Sequence, residues 1–395
     1  LQRGEYREAA EDFSRAIRLR PHVAIGYRYR SYAHAELGNR PEAIADLDTA
    51  IRLNPEDVQA YIDRAAELYE QRAFAQAAAD CTQALQRDPG RGEVYALRGR
   101  ALAAQGASEA ALADFARALE ADPDGAARYL FWRAELFAER GEHDRAAADF
   151  SAVLGREPER ADAYRGRGTA HLGMGEPGAA LADFDAALRL DPDSPQGYAG
   201  RGLALRELGR LGEAVADFTE ALRREPGLVS GYEFRGQTYA ELGDYDAALA
   251  DFTEALRRKP DSVRLHNRRA AVHYARRDYA KAVRDHVEAL KRDPNDAGTF
   301  NHLAWVWATA PDPAARNGPR ALECATRACE LTEWQVPGYL DSLAAAYAEC
   351  GRFAEAVHWQ RRAIELAGEA EKESFRRRLE LYERGQPARV TPGEE

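Results

Sequence analysis

Eight arginines each stand sixteen residues before an aspartate: Arg30/Asp46, Arg64/Asp80, Arg98/Asp114, Arg133/Asp149, Arg167/Asp183, Arg201/Asp217, Arg235/Asp251 and Arg269/Asp285. Two chemistries fit this spacing. A row of guanidinium groups, with forked donors that match carboxylate geometry, could grip an acidic ligand. Alternatively, each aspartate neutralises its own arginine, and the pair fixes the register of two helices. A partner for every arginine favours the second.

Other reactive groupings are scarce. The sequence holds no HExxH, no phosphate-cradling glycine run, no GxSxG and no clustered set of carboxylates. Serine, histidine and aspartate are too dispersed to nominate a triad. His34, His171 and His273 share one phase, the place Tyr239 takes in its own repeat, and read as core side chains rather than metal ligands. Cys81, Cys324, Cys329 and Cys350 include no CxxC pair, and Cys324 and Cys329 would lie about 140° apart around a helix. All four read as reduced thiols in a reducing compartment. No catalytic residue, cofactor or metal is nominated, and the chain is read as not an enzyme.

The elements that position the Arg/Asp pairs are marked by proline. Pro21, Pro55, Pro89, Pro123, Pro158, Pro192, Pro226, Pro260 and Pro294 are 34 residues apart at every step but one, which is 35. Such a period signals repeats rather than globular domains counted by length. Each unit opens with a large residue, as at Tyr27, Tyr61, Tyr95, Tyr164, Tyr198 and Tyr232. Four residues later a small one, such as Gly99, Gly168, Gly202 or Gly236, lets a second helix approach. Gly38, Gly106, Gly141, Gly175, Gly209 and Gly243 then fall where a helix ends in the left-handed conformation. The second helix carries alanine on its inner face and a bulky plug at Leu47, Phe115, Phe150, Phe184, Phe218 and Phe252. Proline closes the unit because it cannot continue a helix.

These residue types at these positions resemble the tetratricopeptide repeat (TPR) family over about residues 1–370. The resemblance implies an all-α, right-handed superhelical solenoid of helix-turn-helix repeats. The register gives the second helix of a truncated repeat at 1–23 and eight regular repeats over 24–296. Two more occupy 297–370, the first diverged and carrying a loop insertion in 309–319. A capping helix is expected over 371–385, with Phe375, Leu379 and Tyr382 facing inward, and a disordered tail over 386–395.

One hairpin cannot bury its apolar face alone, so stacked neighbours share a core and form a concave groove. The resemblance implies that positions 2, 5, 9 and 12 of each first helix line it, for example Ile25, Arg28, Tyr32 and Ala35, or Asp162, Arg165, Thr169 and Leu172. Some family members clamp acidic chaperone tails with a dense Lys, Arg and Asn array. That array is absent from the first three repeats here, so the function is not carried over. Repeat 263–296 stands apart, with nine basic residues against five acidic ones, whereas 229–262 has four against seven. Arg264, Asn267, Tyr274, Asn301 and Trp305 are expected to form a polar, aromatic and basic patch that binds a protein or peptide partner through an acidic or carboxylate-bearing segment. The competing reading is a solvated basic face with Trp305 packed in a diverged repeat.

Composition narrows the partners. A formal net charge of −11 disfavours nucleic acid, which needs a surplus of cations. No stretch approaches the ~18 apolar residues of a membrane span. Lys259, Lys281, Lys291 and Lys372 are the only lysines, and the chain opens on Leu1 with Met174 its sole methionine. The expectation is a fragment of a larger bacterial protein, cytoplasmic, acting as a non-catalytic interaction scaffold. NHLAWVWATAPD (301–312) and YLDSLAAAYAECG (339–351) are similar to terminal TPR modules of bacterial multidomain proteins. The alternative is therefore the docking region of a signalling enzyme, such as a Ser/Thr kinase, whose catalytic domain precedes residue 1.

Overall fold

Each 34-residue unit folds as two helices because its apolar residues recur at helical spacing while glycine and proline fall at the ends. The computed structural model describes residues 3–389. It opens with α1 (Arg3–Leu19), followed by hairpins α2 (Ala24–Glu36) with α3 (Arg40–Leu53), α4 (Val58–Glu70) with α5 (Phe74–Arg87), and α6 (Gly92–Ala104) with α7 (Ser108–Ala121). Next come α8 (Ala126–Glu139) with α9 (His143–Arg156), and α10 (Ala161–Gly173) with α11 (Pro177–Leu190). The chain continues with α12 (Pro195–Glu207) and α13 (Leu211–Arg224), α14 (Val229–Glu241) and α15 (Tyr245–Arg258), and α16 (Val263–Ala275) and α17 (Tyr279–Arg292). It ends with α18 (Ala297–Thr309) and α19 (Gly318–Leu331), α20 (Pro337–Glu349) and α21 (Phe353–Leu366), and α22 (Glu369–Glu383). Among the described residues there is no strand.

The chain divides between Pro192 and Asp193 into two compact units, a division the uniform period does not announce. Within each unit, the two helices of a hairpin pack along their length and the next hairpin stacks on them. Alanine at the contact, as at Ala214, Ala248 and Ala282, is fully buried and allows close approach. The plug fills what remains: Phe218 and Phe252 are buried, each worth roughly 2–3 kcal/mol of burial. Close approach makes the facing position selective, since a Cβ on Gly202 would stand 2.8 Å from the Phe218 ring.

The Arg/Asp ladder is internal. In all eight pairs Nε donates to Oδ2 at 2.6–2.9 Å and Nη2 to Oδ1 at 2.6–2.8 Å. The remaining Nη1 reaches back sixteen residues to the preceding second helix. It meets Ser14 from Arg30, Asp48 from Arg64, Thr82 from Arg98, Ser151 from Arg167, Thr219 from Arg235 and Thr253 from Arg269. Each of these arginines therefore ties three helices together. At Arg133 the equivalent residue is Arg117, another cation, which pairs with Glu120 instead. With both forked donors engaged, the ladder sets register and offers no grip to a ligand.

The C-terminal region is built differently. The insertion after α18 folds as a short 3₁₀ turn at Pro313–Ala315, and Arg316 ties it down by donating to the carbonyls of Ala310 and Pro311 at 3.0 Å each. Phe375 and Tyr382 of α22 are buried against α20 and α21, with Leu379 half-buried. The disordered tail expected over 386–395 needs correction at its start. Residues 386–389 fold back: Ala388 is buried, and Arg389 pairs with Glu349 at 2.6 Å while donating to the Ala308 carbonyl. They order because α18 ends on an open carbonyl and Glu349 takes a second cation beside Arg316. Residues 390–395 lie outside the described residues.

Candidate functional site

Asn301 and Trp305 lie one turn apart on α18. With His302 they form one wall of a cleft of about 300 Å³, faced by Gly338, Asp341 and Ser342 of α20 and by Ser374 and Arg378 of α22. The Arg378 guanidinium sits 5.3 Å from the Trp305 ring centroid and 5.2 Å from that of Phe375. Its Nε donates to Asp341 at 2.8 Å, and Gln360 donates to the same carboxylate oxygen at 2.6 Å. Asn301 Oδ1 is buried without a hydrogen-bond partner. Trp305 thus lines the cleft with a cation against it while packing on the C-terminal core.

The other three residues singled out by the sequence do not line this cleft. Arg264 is exposed, but its Nη2 donates at 2.7 Å to Glu233, a buried carboxylate of α14. Asn267 belongs to a buried network: its Nδ2 donates to Thr299 at 2.6 Å and to Asp296 at 3.2 Å. Its Oδ1 lies 2.9 Å from His286 Nδ1. An amide oxygen can only accept, so that nitrogen carries the proton. Tyr274 packs edge-on against Tyr279, 5.5 Å between centroids, beside Val306 and Ala310. Only the Asn301 and Trp305 part of the patch is brought together.

A second cleft was not anticipated. Tyr69 of α4, Arg100 of α6, and Trp132, Glu135 and Glu139 of α8 line about 230 Å³ on the first-helix face of the unit Leu1–Pro192. The Arg100 guanidinium is sandwiched 4.4 Å from the Tyr69 centroid and 4.5 Å from that of Trp132.

Burial pushes the Cys81 and Cys329 thiols up to about 12 and Cys324 up to about 11, away from nucleophilic thiolate. Among the described residues no group of His, Cys, Asp and Glu could hold a metal ion. Burial pulls His273 down, and it pulls His286 down to about 3 with help from neighbouring His302. No described helix is long and apolar enough to cross a membrane.

The profile of the family described as Tetratricopeptide repeat matches residues 1–58, 32–92, 62–126, 96–161, 133–195, 165–228 and 235–297, and a second profile of the same description matches 338–387. The chain belongs to the tetratricopeptide repeat family. No curated protein matches its sequence. A TPR protein from Parabacteroides merdae is similar in structure at 22% identity and a TM-score of 0.52, covering 62% of this chain and 96% of its own. The Cut9-Hcn1 hetero-tetramer of the APC/C is similar at 14% identity and a TM-score of 0.50, over 95% of this chain and 93% of the other. Yeast Tom70 covers 96% of this chain and 92% of its own at 16% identity and a TM-score of 0.48. These likenesses concern the TPR fold. The clefts described above lie on the first helices of the repeats, the faces that the family resemblance assigns to the groove.

Proposed function

We propose that this TPR chain is a non-catalytic scaffold that takes a peptide or helix of a protein partner along its first-helix faces, with Trp305 as an anchor. Trp305 carries the reading: a large, half-buried aromatic packed on the C-terminal core also lines a cleft, where Arg378 braces it. Buried aromatic and arginine side chains are the usual energetic centres of protein interfaces. Asn301 and Ser374 supply polar groups beside the anchor, suited to fixing the orientation of a bound backbone.

The finer reading, an acidic partner segment, rests on fewer residues than the charge of repeat 263–296 implied. Arg269 is held by Asp285, Arg276 by Asp246, and Lys291 and Arg292 by Glu288. Arg264 could turn to a ligand only by leaving Glu233. Arg268 of α16 is exposed and, like Arg277 and Arg284, makes no ion pair among the described residues, so an acidic segment has these three to meet. The test is affinity capture with the intact chain, followed by titration of peptides from the retained protein. Trp305→Ala is expected to weaken binding by at least about thirtyfold, the effect of a 2 kcal/mol hot spot. Unchanged affinity would overturn the anchor, and unchanged affinity when Arg268, Arg277 and Arg284 are all changed to glutamate would overturn the acidic preference.

A further inference from the structure

The cleft between Tyr69 and Trp132 holds two opposite charges that do not satisfy one another. Among the described residues, Arg100 makes neither a hydrogen bond nor an ion pair, and the same is true of Glu135. Elsewhere in this unit several first-helix charges find partners: Arg28 of α2 reaches Asp57 at 3.3 Å, Glu67 of α4 meets Arg40 at 3.5 Å, and Asp162 of α10 meets Arg160 at 2.8 Å. Arg100 and Glu135 are close enough to interact through space, since Arg100 pulls the Glu135 carboxyl down. That pull is outweighed: partial desolvation by its neighbours, with the charges of Glu139 and Asp162, pushes the Glu135 carboxyl up although its side chain stays exposed at the rim of the cleft. The two rings meanwhile flank the guanidinium at 4.4 and 4.5 Å, and its N–H groups meet no acceptor among the described residues.

We propose that this cleft binds the side-chain carboxamide of a glutamine or asparagine presented by a protein partner. A guanidinium only donates and a carboxylate only accepts. A carboxamide carries one acceptor and two donors on a single planar end, so its carbonyl can accept from Arg100 while its NH₂ donates to Glu135. A ligand carboxylate would satisfy Arg100 but confront Glu135 and Glu139. A ligand ammonium would satisfy the glutamates but confront Arg100. Tyr69 and Trp132 flank the Arg100 guanidinium and strengthen its hydrogen bond by keeping water from it. The proposal extends the peptide-binding reading to a second site, in a different unit from Trp305, and can therefore fail separately from it.

The experiment pans a phage-displayed random dodecapeptide library on the full chain carrying Trp305→Ala, which removes the other anchor. Retained peptides are counter-selected on the same chain with Arg100→Leu, and those that depend on Arg100 are sequenced. Glutamine and asparagine should be enriched among them. Affinity of a synthesised representative should fall at least about tenfold in Glu135→Leu, the loss of one hydrogen bond to a charged group. A similar fall is expected in Arg100→Lys, which keeps the charge and the side-chain stem but not the flat fork. Enrichment of Asp and Glu would overturn the assignment in favour of a simple guanidinium–carboxylate site. Enrichment of Lys and Arg would overturn it in favour of an acidic one. Absence of Arg100-dependent peptides would remove the site altogether.

Discussion

Repeats 229–262 and 263–296 are neighbours in one unit, with helices of equal length and the same bidentate Arg/Asp pair. They bury different things. Where the first places Tyr232, Tyr239, Phe252 and Gly243, the second places His266, His273, His286 and Arg277. His286 is 3% exposed in the plug position, against 1% for Phe252. An apolar plug needs only contact, whereas a polar one must find partners or forfeit its hydration. The second repeat supplies them: His286 donates to Asn267, which is held in turn by Thr299 and Asp296, and His266 meets the Pro260 carbonyl at 3.2 Å. One backbone thus tolerates two kinds of interior as long as the polar one is wired into the next repeat.

The sharpest way to break that comparison is to empty both plug positions. Phe252→Ala should cost about 3–5 kcal/mol, because the packed alanines around it cannot collapse into the space. His286→Ala should cost clearly less. It leaves the Asn267 carbonyl without a donor, about 1–3 kcal/mol, but also relieves the burial of a polar ring. Urea titration with hydrogen exchange read separately over α14–α15 and α16–α17 checks both, since a repeat array can open locally. Equal costs would mean that the two interiors are energetically alike.

Acid should separate the same two repeats. In the folded chain His286 stays neutral down to about 3, held by burial and by His302, while nearby Asp285 and Asp296 only partly favour its charged form. The unfolded chain takes up that proton near the ordinary value of about 6.5. The folded pKa is therefore lowered, so this stability is complete above about 6.5 and is lost as pH falls from there towards 3. The loss approaches roughly 1.4 kcal/mol per pH unit. His273 is lowered as well and adds in the same direction. Protection of α16–α17 should fall before that of α14–α15 on acidification from pH 7 to 4.5, and His286→Phe should reduce the gap. Simultaneous loss in both repeats would count against the histidine interior as the cause.

The comparison also shows what the sequence could and could not reveal. The period of proline, glycine and small residues announced the helix pairs, because each of those types has a backbone or packing role that repeats with the unit. The Arg/Asp ladder was legible for the same reason, one partner per arginine at constant spacing. The patch was less so. Arg264 and Asn267 looked available because the charge of a repeat was counted within that repeat, whereas Glu233 lies in the unit before and Thr299 in the unit after. Arg100 went unnoticed because its companions, Tyr69 and Trp132, are also a repeat away on either side. In a stacked array, partners sit roughly 32 residues off, and a repeat examined singly misses them.

The smallest expected effect lies at the turn. In repeat 229–262 the first helix closes on Gly243 at φ 78°, with Gly243 N–H donating to Ala240 and Asp244 N–H to Tyr239. Repeat 263–296 makes the same two bonds from Arg277 and Asp278, but Arg277 must adopt φ 66°. A left-handed residue with a Cβ crowds its own carbonyl at a cost of about 1–2 kcal/mol, and glycine avoids that while losing more freedom on folding. The net expectation is that Arg277→Gly stabilises by about 0.5–1 kcal/mol and that Gly243→Arg destabilises by a similar amount. Arg72, at φ 63° in the other unit, offers the same substitution away from the histidine network. A gain at Arg72→Gly without one at Arg277→Gly would show that the exposed Arg277 side chain contributes something its turn conformation conceals; no gain at either would remove backbone strain as a difference between the two repeats.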